Sequence, residues 1–357
     1  MTVRKLSGIV LGICLLMAGC AERQDQVDAD LTLIGSWNQV NDDIADISVG
    51  RDQLFVASNE NRGFLVFNRS EEGAPRPVAT YRSADSLYAP GDVSFISSFL
   101  LADSLLFLKL QTNLLAFNVS NPYAGSYIRP FFASGVNNED GFHDAAGYQY
   151  LVYCDRSDGI LVQKFSDRDD SSHPDPAGRW FYSGDSPPPG YRYSWNGFNN
   201  DGNDLATDGN LLYLANGRYG LSIMRFNGDP VLVDLDILST LALPGDALRL
   251  SVQDGLVVVA LGGNGFAVVD ASDPSRPYLK SVTIPGGTTL DVSLDANHAV
   301  LANSSKGVLI YDLRDPARPR QRYRFTSNYA RRLRVTPERI YVADRDDGLL
   351  ILANPLH

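Results

Sequence analysis

A strip that recurs constrains this chain more than any other feature. Its cleanest copy runs from Leu290 to Phe325, LDVSLDANHAVLANSSKGVLIYDLRDPARPRQRYRF. It holds an alternating stretch, an apolar stretch, a glycine turn, a second apolar run, an Asp-Pro turn and a last alternating stretch. Seven copies can be read between Ala45 and Pro355. Length alone, 357 residues, would suggest two or three domains. A repeat array counts as one.

The first strands of the copies read DISV from Asp46, DVSF from Asp92, DAAG from Asp144, DLAT from Asp204, RLSV from Arg249, DVSL from Asp291 and RLRV from Arg332. The second position is always apolar and the third is small in six copies. Such period-two alternation is a strand signal. The second strands (LFVA, LFLK, VYC, LYLA, VVVA, AVLA, IYVA) are apolar on both faces, as in a strand covered on both sides. Cys154 falls in a column with Ala57, Ala215, Ala260, Ala302 and Ala343, which reads as a small core residue. Gly63, Gly159, Gly220, Gly265, Gly307 and Gly348 share a column with Asn113. A hairpin that needs positive φ explains that choice of residues.

Several third strands leave through Asp-Pro or Asn-Pro turns, at Pro122, Pro274 and Pro316. Polar fourth strands follow, such as Tyr278–Ile284 and Gln321–Phe325. Four strands per unit, with 42 residues between Gly265 and Gly307, predict a β-propeller blade. The last copy stops one strand short, and Leu31–Trp37 matches the missing piece. The expected fold is therefore all-β. It is a seven-bladed β-propeller of four-stranded antiparallel blades, closed by an N-terminal strand that completes the last blade. One domain should span residues 31–357, with a long insertion at about 166–203.

The copies resemble the LVIVD-repeat family of bacterial propellers. The resemblance rests on GFAVVDASDP from Gly265, GVLIYDLRDP from Gly307 and the YVAD of Tyr341–Asp344. It covers nearly all of Ala45–Pro355 and is closest in the last three copies. It implies a fold and export, and no reaction.

The amino terminus has its own logic. Arg4 and Lys5 precede an apolar run from Gly8 to Ala18, which is too short to span a bilayer and reads as a secretory signal, residues 1–19. The run ends Leu16-Met17-Ala18-Gly19-Cys20, which resembles the lipobox of bacterial lipoproteins, with Met17 where leucine is usual. The resemblance implies that Cys20 is lipidated, by acyl chains such as palmitate, and becomes the mature first residue. Ala21, rather than Asp, follows it, which by resemblance to Gram-negative sorting points to the outer membrane. Residues 20–30 read as the lipidated cysteine and a flexible tether. No disulfide is expected within the mature chain, because Cys14 leaves with the signal and Cys20 carries lipid.

The net charge is −11. Loss of Arg4 and Lys5 leaves 29 basic against 42 acidic side chains, or −13. Such a body is repelled by nucleic acid and by anionic membrane surfaces. The expected attachment to membrane is the lipid anchor, and the expected state is a monomer.

Two places could carry chemistry. Asp46, Asp92, Asp144, Asp204 and Asp291 open the innermost strands, with Arg249 and Arg332 completing the column. Clustered carboxylates around a channel mouth could hold Ca²⁺. The competing reading is structural, with each carboxylate bonding backbone amides or a neighbouring arginine. The second place is the insertion, where Trp180, Tyr182, Tyr191, Tyr193 and Trp195 could meet a partner protein or a glycan, or fold back over the blade. The histidines have no paired metal spacing, and no nucleophile elbow or phosphate loop appears. The expected function is a non-catalytic binding or scaffold lipoprotein for an envelope protein or polymer. The alternatives are a calcium-dependent propeller hydrolase, with its site at the channel mouth, and a glycan-binding surface module.

Overall fold

Short alternating runs, turn glycines and Asp-Pro corners dictate short antiparallel strands. The computed structural model describes residues 29–38, 43–59, 63–82, 96–102, 105–110, 113–119, 121, 126–132, 136–143, 149–155, 159–165, 202–228 and 233–357. Strands β1 (Ala29–Asp30) and β2 (Leu33–Trp37) come first. The first sheet is β3 (Ile44–Val49), β4 (Gln53–Ser58), β5 (Gly63–Asn68) and β6 (Ala79–Arg82). The second is β7 (Ile96–Ala102), β8 (Leu105–Leu110), β9 (Asn113–Asn118) and β10 (Ser126–Phe132). The third has three strands among the described residues, β11 (Val136–His143), β12 (Gln149–Asp155) and β13 (Gly159–Phe165). The fourth is β14 (Asp204–Asp208), β15 (Leu211–Ala215), β16 (Leu221–Gly228) and β17 (Val233–Leu241). The fifth is β18 (Arg249–Gln253), β19 (Leu256–Ala260), β20 (Phe266–Asp270) and β21 (Tyr278–Thr283). The sixth is β22 (Asp291–Asp295), β23 (His298–Ala302), β24 (Val308–Asp312) and β25 (Arg320–Phe325), with β1 added outside β25. The seventh is β26 (Ala330–Val335), β27 (Arg339–Asp344) and β28 (Gly348–Ala353), with β2 outside β28. The fold is thus all-β and propeller-like, built mainly of four-stranded antiparallel sheets.

Apolar residues on both faces of the second and third strands serve two neighbouring sheets at once. Val257 and Val259 of β19 pack with Tyr213 and Ile223 of the fourth sheet. Val258 and Ala260, on the opposite face, pack with Leu301 and Leu309 of the sixth. Val300 and Ile310 meet Val342 and Leu350 of the seventh. Tyr341, Leu349 and Ile351 meet Ile47, Val56 and Leu65 of the first. The hydrophobic core is therefore divided into layers between sheets, and period-two alternation sorts side chains into them. The first strands touch in the order β3, β7, β11, β14, β18, β22, β26, and β26 also touches β3. The outer strand β25 is polar and half-exposed, with four charged or amide side chains.

The register corrects two expected first strands. Asp46, Asp204 and Asp291 lie opposite Ala57, Ala215 and Ala302. In the second sheet the matching position, opposite Lys109, is held by Ser98. In the third, opposite Cys154, it is held by Asn138. The strands expected from Asp92 and Asp144 are thus replaced by β7 and β11, and both aspartates lie outside the described residues. A first strand pairs with the apolar run that follows it most closely, because a short link costs little closure entropy.

The glycine column has a double cause. Gly220, Gly265, Gly307 and Gly348 have φ of 87°, 76°, 75° and 77°. A Cβ at each would also overlap a carbonyl oxygen of the outer strand, namely that of Leu241, Thr283, Phe325 and Trp37 in turn. The Asp-Pro corners are Asx turns. Asp270 accepts from the Ser272 N–H at 3.1 Å, and Asp312 accepts from the Arg314 N–H at 2.9 Å. Two outer strands are then tied to the next sheet's corner. The Ser239 hydroxyl donates to the Pro274 carbonyl at 2.7 Å, and Ser281 donates to Pro316 at 2.7 Å.

Strand β2 takes the place of a fourth strand in detail. Outer strands β17, β21 and β25 each skip one residue where they pair with the third strand, at Leu238, Lys280 and Arg322. Strand β2 skips Ile34 at the same register point, so that Gly35 faces Ile351 and Leu33 faces Leu352. Its Trp37 carbonyl fills the space that forbids a Cβ at Gly348. The expected tether is shorter than residues 20–30, because Ala29 and Asp30 pair in parallel with Tyr323 and Arg324. Leu31 is then buried among Val300, Ile310 and Leu352. Apolar Leu31 anchors what polarity alone assigns to solvent.

Deleting residues 29–37 should lower the melting temperature by more than about 5 °C, since each lost kcal/mol costs about 2–4 °C in a domain of this size class. Thermal unfolding followed by circular dichroism measures this. A shift below about 1 °C would show that β28 does not need its partner.

Candidate functional site

Of the five carboxylates in the innermost-strand column, Asp46, Asp204 and Asp291 lie among the described residues. All three are buried. Asp204 Oδ2 accepts the Leu250 N–H at 2.8 Å, and its Oδ1 accepts from Arg249 Nη1 at 3.2 Å. Asp291 Oδ2 accepts the Leu333 N–H at 2.9 Å, and its Oδ1 accepts the Val292 N–H at 3.0 Å. Asp46 Oδ1 accepts the Ile47 N–H at 2.8 Å and Arg334 Nη2 at 3.0 Å.

A rule emerges from these bonds. An aspartate at this position reaches into the next sheet and bonds the N–H of the residue that follows the matching column position there, as Asp204 does to Leu250 and Asp291 to Leu333. Where the preceding sheet offers arginine instead, at Arg249 and Arg332, the following aspartate turns one oxygen onto the N–H of its own neighbour. Four N–H groups in the column, those of Ile47, Leu250, Val292 and Leu333, are therefore met by a carboxylate. Charge-assisted bonds of this kind are among the stronger ones available to a side chain.

Electrostatics follow from crowding. Burial pushes the Asp204 carboxyl up from its ordinary value, while the Arg249 guanidinium and the Leu250 N–H pull it back. Burial of its head group, reinforced by Arg249, pushes Arg332 down to about 10, and Asp291 and Asp46 oppose this. Arg334 bridges two sheets, with Nη2 at 3.0 Å from Asp46 and Nη1 at 3.6 Å from Asp291. Sequence reasoning missed it. Its signal was present, since Arg334 is the one large residue in a column of Ser and Ala.

A hard cation wants six to eight converging oxygens. Apart from Asp46 Oδ2, which is buried without a partner among the described residues, these carboxylate oxygens instead accept from backbone amides and guanidiniums. Among the described residues no three His, Cys, Asp or Glu side chains are grouped to hold a metal ion. Asp92 and Asp144 lie outside the described residues. So do Cys20 and the insertion aromatics Trp180, Tyr182, Tyr191, Tyr193 and Trp195.

One surface was not anticipated as a site. The outer strand β21 exposes Tyr278, Leu279 and Val282, and Ile284 just beyond it is 66% exposed. No strand among the described residues pairs with its outer edge. The equivalent edges of the next two sheets are occupied in parallel. Strand β1 lies on β25 at Tyr323, and Gly73 bridges β2 at Gly35. The corresponding residue of β21 is Ser281, since Ser281, Tyr323 and Gly35 face Val268, Ile310 and Ile351.

Asp291→Ala should cost about 2–4 kcal/mol in urea unfolding, because it leaves two buried N–H groups without an acceptor and Arg334 with one partner fewer. The loss should be the same with calcium or with a chelator present. A loss that calcium addition to the parent protein reproduces in reverse would instead assign the collar to metal.

Comparison with known proteins places these observations. None of the curated proteins matches the chain. Two solved structures superpose over most of it. The computationally designed protein Ika8 is 9% identical, with a TM-score of 0.57 over 90% of this chain and 99% of its own. Sqt1 of Saccharomyces cerevisiae is 8% identical, with a TM-score of 0.59 over 91% of this chain and 100% of its own. At such identity the likeness concerns fold alone. Residues 244–283 match the LVIVD repeat, so the chain carries this repeat, and the matched stretch contains one whole four-stranded sheet, β18 to β21.

Proposed function

We propose that the chain is an outer-membrane lipoprotein, anchored through Cys20, whose residues 31–357 form a single seven-bladed β-propeller acting as a non-catalytic binding scaffold for an envelope protein. Three features support the ring. The first strands contact one another in succession and return from β26 to β3. Consecutive sheets share core layers. Strand β2 copies the register and the skipped residue of the other outer strands. The N-terminal strand β2 covers the edge of β28, which would otherwise be open to aggregation.

The observation that carries the binding role is the open edge of β21. The chain itself lays β1 in parallel on β25 at this register, and Gly73 makes a single parallel bridge to β2 at the same point. An extended apolar segment of an envelope protein would add to β21 at Ser281 and Val282 in the same way. Its side chains would cover Leu279, Val282 and Ile284. Main-chain bonds give affinity in this mode, and the exposed apolar side chains give selectivity. The collar carboxylates support a scaffold rather than a reaction, since their bonding holds sheets together.

Two measurements on the full chain in its envelope test the proposal. Cys20→Ala should move the protein from the membrane fraction to the soluble fraction. Retention in the membrane would remove the anchor. Separately, a photo-crosslinker placed at Leu279 or Ile284 should join one extended segment of another envelope protein, identified by mass spectrometry. The adduct should fall at least about tenfold on Val282→Asp. Adducts only to lipid, to a second copy of this chain, or to nothing would overturn the docking.

A further inference from the structure

The seam between the seventh and first sheets holds a cleft that none of the roles above uses. Its volume is about 400 Å³, and it is lined by Arg51, Asp52, Arg69, Ser70, Glu338, Arg339 and Tyr341. Three guanidiniums thus face two carboxylates in a chain whose net charge is −11.

The arginines are fixed largely by neutral groups. Arg69 Nη1 donates to the carbonyls of Gly50 and Arg51, both at 2.8 Å. Arg339 Nη1 donates to the carbonyls of Arg69 and Glu71, and its Nη2 pairs with Glu72 Oε1 at 3.0 Å. The remaining pair is weak, with Arg69 Nη2 at 3.8 Å from Glu338, whose side chain is 70% exposed. Carbonyl acceptors orient a guanidinium without neutralising it. Arg51 is exposed at the rim.

Polar groups in the wall are left over. The Tyr341 side chain is wholly buried, and its hydroxyl has no hydrogen-bond partner among the described residues. Arg69 Nε is likewise buried and unpartnered. A buried donor without an acceptor is unfavourable, and two beside one cleft call for an acceptor there. Oriented cations, a leftover hydroxyl and a leftover N–H together describe an oxyanion receptor.

We propose that this cleft binds a small molecule through an oxyanion, a carboxylate or a phosphate, held by Arg51, Arg69 and the Tyr341 hydroxyl. The site is separate from the β21 edge and stands or falls independently of the scaffold role.

Isothermal titration of the purified full chain with inorganic phosphate and with citrate tests it, each against a chloride background at fixed ionic strength. At least one should bind saturably with one-to-one stoichiometry, and the stronger of the two identifies the oxyanion class. Tyr341→Phe, which removes one oxygen and keeps the ring in its core layer, should weaken binding about tenfold. Arg51→Ala, at an exposed position, should do the same while leaving the melting temperature of the anion-free protein unchanged. Absence of saturable binding by both anions would overturn the proposal, as would equal affinities in the parent and both variants.

Discussion

The pairing of β2 with β28 is the constraint on which the rest depends. It joins Trp37 to Leu349 across almost the whole chain. Three other features are built against it. The Trp37 carbonyl fixes the choice of glycine at 348, Gly73 binds its outer edge, and Leu31 beside it closes the core layer between the sixth and seventh sheets. The entropy of closing so long a loop grows only with the logarithm of its length, so one strand of hydrogen bonds and buried apolar surface can offset it. The same long-range contact makes folding slow relative to a fold held by local contacts. A β-branched residue at a turn such as Gly348 would meet both the positive-φ strain and the neighbouring strand, so the turn and the closure are specified together.

Much of this was legible in the sequence because each repeat obeys local rules. Glycine at the turn, Asp-Pro at the corner and two-sided apolar strands are each dictated within a few residues. The N-terminal strand was legible for a different reason, since the last copy is one strand short. Asp92 and Asp144 were misread because the reading followed wording. Asp-Val-Ser resembles the other copies, but pairing follows proximity to the next apolar run, which selects Ser98 and Asn138. The parallel addition of β1 was not legible at all. Two residues carry no period, and the edge they choose is made by residues about three hundred positions away.

The candidate site was legible as a column, and the three described aspartates follow its structural reading, bonding backbone amides and arginines. Five acids in one column suggest convergence, yet a column records repetition around an array, and repetition serves the joints equally well. The register shows the joint: the carboxylate of one sheet ends on the amide of the next. An aspartate suits this task because its short side chain presents two acceptors close to its own backbone, where glutamate would overreach. The two arginines in the column then alter the pattern predictably, since a donor cannot receive an N–H, and the following aspartate serves its own neighbour instead. Arg334 completes the account by reaching both Asp46 and Asp291, and its length stands out only against the small residues at its column.

The seam between the seventh and first sheets differs from the other junctions for a reason of sequence. Elsewhere the repeat places like residues against like, so the junctions resemble one another. Here the end of the array meets its beginning, and residues with no equivalent in other copies come together. Arg339 extends from the start of β27 to the carbonyls that follow β5, while Arg69 returns to the carbonyls before β4. Arg339 ties the junction through two carbonyls and Glu72, while Arg69, held by carbonyls of its own sheet, keeps only a distant carboxylate partner in Glu338. A junction that must be stitched from both ends of the chain is thus also where a repeat protein can depart from its repeat. Arg51 and Arg69 from near the start of the chain and Glu338 and Arg339 from near its end meet there, which no pair of neighbouring copies within the array could bring about.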